Sequence, residues 1–168
     1  MKRSIIVLLL VLSAALTTAC GSKGGGNSVV ATAPTTAVVR ISTQGPIADG
    51  TLIGGIDVTV KLPSGVTVKS ITSPPETDSG VVAASGVAVN SMVMAKYTPA
   101  AGTTAGTVRV LVINSGGFGT GEFLTVNCDI ATGSTPTSSD VGVTNFTATD
   151  LNGAAISGLT TGFTASIQ

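Results

Sequence analysis

Gly55-Ile56-Asp57-Val58-Thr59-Val60-Lys61-Leu62 is the stretch whose reading decides the fold. Ile56, Val58, Val60 and Leu62 alternate with Asp57, Thr59 and Lys61. A period of two with one apolar face marks a half-buried β-strand, because successive side chains leave a strand on opposite sides. The same rhythm recurs later. Leu124, Val126, Cys128 and Ile130 alternate with Thr125, Asn127 and Asp129, and Phe163, Ala165 and Ile167 alternate with Thr164 and Ser166. Val108, Val110 and Val112 continue the pattern. Leu111 and Ile113 between and after them are apolar too, which predicts a strand covered on both faces. Near Thr144-Asn145 the phase slips, with Val141 and Val143 on one parity and Phe146 and Ala148 on the other. A one-residue slip inside a strand predicts a bulge.

Turn signals punctuate these runs at Pro63-Ser64-Gly65, Pro74-Pro75, Ser115-Gly116-Gly117 and Asn152-Gly153. Beyond the N-terminal region no segment of helical length carries an apolar stripe at 3.6-residue spacing. The pattern predicts an all-β, two-sheet antiparallel β-sandwich of the jelly-roll kind, one domain from Ala37 to Gln168.

The first 22 residues carry a different message. Lys2 and Arg3 precede an apolar run from Ile5 to Leu16, and Leu16-Thr17-Thr18-Ala19-Cys20-Gly21-Ser22 follows. The run fits a signal-peptide core and falls short of the roughly 20 apolar residues that span a bilayer. Residues 1–19 are therefore expected to be a cleaved lipoprotein signal peptide, with Cys20 the lipidated residue. Residues 20–36 complete a flexible tether of Gly, Ser, Thr and Ala. Several acyl chains on one residue give stable attachment, so a membrane is an expected partner through the anchor. Gly21 stands where inner-membrane retention usually shows Asp, which favours the outer membrane in a Gram-negative cell. Loss of Lys2 and Arg3 leaves six basic against eight acidic side chains, a net −2 on 149 residues. So sparse a charge offers no footprint for nucleic acid.

The chemical inventory disfavours an enzyme. The chain has no His, which removes the commonest general base and a leading metal ligand. Cys128 lies on the apolar face of its strand and reads as a buried structural thiol. Glu122 and Asp129 are seven residues apart, an odd separation that puts them on opposite faces of a regular strand. Asp150-Leu151-Asn152-Gly153 reads as a β-turn, since Asn-Gly supplies positive φ and no acidic loop completes a calcium site. No catalytic residue, metal ligand or cofactor is expected, and no binding residue can be named. A sugar-stacking platform needs exposed rings, and the chain has no Trp, one Tyr (Tyr97) and four Phe. Phe146 and Phe163 lie at core-like positions, Phe123 sits on the polar parity, and Phe118 falls in a Gly-rich turn where it would be exposed.

Three segments carry a resemblance. They are Gly55 to Leu62, then Gly119-Thr120-Gly121-Glu122-Phe123-Leu124-Thr125-Val126-Asn127-Cys128-Asp129-Ile130, and finally Phe146 to Ile156 with its Asp150-Leu151-Asn152-Gly153. In order and pattern the domain resembles a cohesin, the bacterial module that docks dockerins. The middle segment looks like the cohesin strand that follows a Gly-rich turn, and the last like its penultimate hairpin. Leu62-Pro63-Ser64-Gly65 occupies the region where many cohesins carry a tyrosine-aspartate-proline segment. The resemblance implies a jelly roll of about nine strands and kinship with carbohydrate-binding modules. It leaves three readings open. One is an extracytoplasmic cohesin-like module docking a dockerin-bearing protein. The second is a module of the same superfamily binding a polysaccharide, and the third is a passive envelope lipoprotein.

Overall fold

In a computed structural model of the chain, residues 33–72, 76–77 and 80–168 are described. The signal peptide, Cys20, the tether as far as residue 32, and Pro74-Pro75 lie outside them. The described residues form β1 (Thr36–Gln44), β2 (Ile53–Lys61), β3 (Val66–Thr67), β4 (Ser70–Thr72), β5 (Glu76–Thr77) and β6 (Val82–Ala84). They continue with β7 (Met92–Thr98), β8 (Thr107–Phe118), β9 (Glu122–Ile130), β10 (Gly142–Asp150) and β11 (Thr160–Ile167). Short 3-10 turns at Gly86–Ala88 and Ser138–Asp140 are the remaining regular elements, and no α-helix occurs among the described residues.

All strand pairs are antiparallel and fall into two sheets. One runs β11-β1-β9-β3, with β6 also on β9; the other runs β10-β2-β8-β7-β5-β4. This is the expected β-sandwich. Seven long strands carry it, and four strands of two or three residues trim its borders.

The core is the apolar parity of each strand. Ile56, Val58, Val60 and Leu62 of the deciding stretch are buried, as are Leu124, Val126, Cys128 and Ile130 facing them from the other sheet's β9. Among the described residues the buried core runs from Ala37 to Ala148, within the unit Thr32–Gln168. Thr35 is already part of it: its N–H donates to the Gln168 carbonyl at 2.7 Å, and its own carbonyl accepts from Ile130.

Bulges decide which residues depart from simple alternation. In β9 the register against β1 moves from Ile41↔Leu124 to Ser42↔Glu122, which leaves Phe123 as the extra residue. Phe123 and Leu124 are therefore both fully buried, although they are neighbours in sequence. Phe123 was expected on the polar parity; the bulge turns it inward and makes it the largest fully buried side chain. Thr43 closes the end of the bulge. Its hydroxyl accepts from Gly121 N–H at 2.9 Å, while Thr43 N–H donates to the Gly121 carbonyl. In β10 two residues, Asn145 and Phe146, oppose the single Val58 of β2 between the pairs Thr144↔Thr59 and Thr147↔Asp57, and Asn145 has φ +52°. That is the bulge the phase slip predicts.

Ser115-Gly116-Gly117 does not end a strand as expected. It bulges within β8, where Asn114 Oδ1 accepts the Gly116 N–H at 2.9 Å, and the ladder resumes at Ile53↔Phe118. Phe118 is consequently buried rather than exposed. Phe163 departs the other way. Its parity points inward, but β11 borders its sheet with only β1 beside it, and the ring remains 37% exposed. Phe146 is half-buried against the core.

Truncating the bulged ring tests this account. Phe123→Ala removes a fully buried phenyl from a packed core, and a loss of about 3–5 kcal/mol is expected in urea unfolding. Phe163→Ala, at the exposed border, should cost well under half as much.

Candidate docking face

The six-stranded sheet turns one face to the core and the other to solvent. Its registers align the outward residues in rows. One row is Thr149, Gly55, Ile113 and Met92, and the next is Thr147, Asp57, Leu111 and Met94. The third is Thr144, Thr59, Arg109 and Lys96. Leu111 and Ile113 were expected to lie under a second cover. No element lies over them among the described residues: Ile113 is 40% exposed and Leu111 half-buried. Met92 and Met94 beside them are 62% and 50% exposed. The apolar run in β8 predicts double burial, but periodicity alone does not distinguish a covered face from an open apolar one.

These four side chains form two adjacent cross-strand pairs, Met92↔Ile113 and Met94↔Leu111. Single exposed apolar side chains are ordinary; a contiguous group on a flat sheet marks an interaction surface. Methionine suits such a surface because its unbranched thioether adapts to a partner's shape. A charged pair borders the cluster. Arg109 grips Asp57 with both ends of its guanidinium, Nε to Oδ1 at 3.1 Å and NH2 to Oδ2 at 2.6 Å. That hydrogen bond and the charge of Asp57 raise the Arg109 pKa, so the cation is constant at any ordinary pH.

Next to the cluster the face is hollowed into a groove of about 460 Å³. Gly54 and Gly55 form its floor, Leu111 and Ile113 one wall, Thr147 and Thr149 the other. Glycine is required at 54, where a Cβ would stand 2.7 Å from the Asp150 carbonyl oxygen. The Asp150 turn closes one end. Its Oδ1 accepts the N–H groups of Asn152 and Ala154, each at 2.8 Å, and Gly153 takes φ +81°. The carboxylate is thus occupied as the acceptor in the β-turn that Asn152-Gly153 predicts. The chain then doubles back on β10 through Ile156 N–H to the Ala148 carbonyl before crossing to β11 in the other sheet.

The other candidate residues are dispersed. Glu122 and Asp129 share the outer face of the other sheet, contrary to the alternation argument, because the Phe123 bulge shifts the parity between them. They remain some seven residues apart on an extended strand, roughly 20 Å, beyond the reach of paired carboxylates on one bond. Glu122 is paired with Arg40 at 3.2 Å. Cys128 is buried and free, and burial pushes its thiol up to about 12. Tyr97 and Phe118 are each 4% exposed, so the described residues present Phe163 as their one exposed ring. Ligand stacking on aromatics therefore has no platform on the groove face.

The fold and this face together define a two-sheet β-sandwich with an open apolar patch beside a glycine-floored groove. The chain matches no family model and no curated protein. Among solved structures it is similar to a non-cellulosomal cohesin from the hyperthermophilic archaeon Archaeoglobus fulgidus. The identity is 16% and the TM-score 0.47, over 74% of this chain and 74% of that one.

Two titrations check the site's chemistry. With its folded pKa raised to about 12, Cys128 should resist alkylation at pH 8 in the native protein and react fully once unfolded. Its contribution to stability is full below the ordinary thiol pKa and is lost as pH rises toward the folded value. Asp150 has the opposite sign. Backbone N–H groups, Ala154 first, hold its carboxylate below its usual range. Its contribution is present above the ordinary carboxylate pKa and lost as pH falls through the depressed one. Asp150→Asn should flatten the acid limb of the stability profile.

Proposed function

We propose that this chain is a lipid-anchored, extracytoplasmic binding module that docks a protein partner on the outer face of the six-stranded sheet. The observation that carries this reading is the exposed Met92–Ile113 and Met94–Leu111 cluster, on strands whose opposite parity already fills the core. Folding gives those four side chains no reason to be apolar; a partner does. The rim is polar and the centre apolar, the usual anatomy of a protein interface. In keeping with the cohesin-like sequence pattern, the partner is of the dockerin type, a calcium-loaded helix pair, and the module itself performs no catalysis. Anchoring runs through Cys20, which holds the domain at the cell envelope, on the outer membrane if the cell is Gram-negative.

The test is capture of envelope and secreted proteins on residues 21–168, with calcium and then with chelator. A partner carrying paired calcium loops, released by chelator, is the expected result. Met92→Asp and Met94→Asp should each weaken capture by roughly thirtyfold, the effect of losing a residue worth about 2 kcal/mol at an interface centre. Thr67→Asp, exposed on the other sheet, should leave capture unchanged. Recovery of glycan alone would move the assignment to polysaccharide binding, and recovery of nothing by a folded domain would leave a structural envelope role. In cells, Cys20→Ala should shift the protein from the membrane fraction to the soluble one.

A further inference from the structure

The described residues leave the two sheets with four borders, and three are blunted. In the smaller sheet β3 and β6 end one border with strands of two and three residues. In the larger sheet β4 is three residues long, and β10 is broken by its bulge at Asn145. Short edge strands and bulges are the means by which sandwiches prevent unwanted strand pairing. β11 has neither. It is eight residues long, pairs with β1 without a register shift, and contains no charge and no proline in Thr160-Thr161-Gly162-Phe163-Thr164-Ala165-Ser166-Ile167.

The ladder fixes which backbone groups are free. Thr36 and Gln168 exchange both N–H···O bonds, at 3.0 and 2.8 Å. Antiparallel pairs alternate, so Ser166, Thr164, Gly162 and Thr160 also direct their groups to β1. The N–H and C=O groups of Thr161, Phe163, Ala165 and Ile167 then point away from the sheet. The same parity carries Phe163, the exposed ring.

We propose that β11 is a strand-addition edge whose occupant is a second copy of this chain. The copies pair β11 to β11 about a two-fold axis at Thr164 and join two sheets into one. That register places Phe163 opposite Ala165 of the copy and Thr161 opposite Ile167, so all four outward residues meet outward residues. Each large ring lies beside a small side chain and loses its exposure. A two-fold brings every edge charge near its own kind, and this edge has none to repel. The 3-10 turn Ser138–Asp140 lies close to β11.

Sedimentation of residues 21–168, from micromolar to millimolar concentration, tests the pairing without any docking partner, so its outcome is separate from that of the docking face. The expected result is a concentration-dependent rise from the monomer to the dimer mass. Thr164→Cys should cross-link on mild oxidation. A non-hydrogen-bonded pair holds its Cα atoms about 4.5 Å apart, within the roughly 4.4–6.8 Å that a disulfide spans. Cys128 is buried, and Thr103→Cys in an exposed loop serves as the control. Ala165→Pro removes an outward N–H without touching the β1 ladder and should keep the chain monomeric; Phe163→Lys serves if that variant fails to fold. A monomer at every concentration, with Thr164→Cys cross-linking no faster than the control, overturns the proposal. So does β11 amide protection that arises only when a foreign extended peptide is added.

Discussion

Each long strand of this protein has one apolar parity to bury, and the space between two sheets, about 10 Å thick, is the place to bury it. The rest of the structure follows from that constraint. Val58, Val60, Val108 and Val110 from one sheet meet Val39, Ile41, Leu124 and Val126 from the other, all at 1% exposure or less. With few charges to solvate the surface, the outward parities are mostly Thr, Ser and Asn. Where the outward parity of β7 and β8 is instead Met92, Met94, Leu111 and Ile113, the core makes no demand for it. That surplus of apolar side chains separates what the domain needs to fold from what it presents to solvent.

The bulges adjust this scheme locally. The one at Phe123 recruits a ring into the core and moves Glu122 to the outer face, where Arg40 meets it. The step at Gly54 lets Ile53 and Ile56 both point inward, although they are three residues apart. It also brings the Asp150 carbonyl against a residue that has no side chain. The groove on the outer face is a consequence: two consecutive glycines in β2 leave a gap that Thr147, Thr149, Leu111 and Ile113 enclose.

Much of this was legible in the sequence. The alternation of Ile56 to Leu62 and of Leu124 to Ile130 marks buried faces, and the slip at Asn145 marks a bulge because both parities are visible on either side of it. Phe123 was not legible, since its bulge depends on the partner strand β1, eighty residues away in sequence, and leaves no local break in the apolar pattern. Phe118 was hidden by its glycine-rich neighbours, which read as a turn while the ladder with β2 in fact resumes. The candidate face was misread for a different reason. An apolar residue on the outer parity looks the same in sequence whether another layer of this chain covers it or nothing does; only the tertiary arrangement separates the two.

The claim at the centre of this account is that the apolar outer face of the six-stranded sheet is the contact surface. The most direct measurement is site-specific photo-cross-linking in the native cell, with the photoreactive side chain at position 94 in one strain and at position 42, on the outer face of the other sheet, in a second. A discrete cross-linked protein from position 94 and none from position 42 is the predicted result. A discrete product from position 42, with position 94 silent, would contradict it.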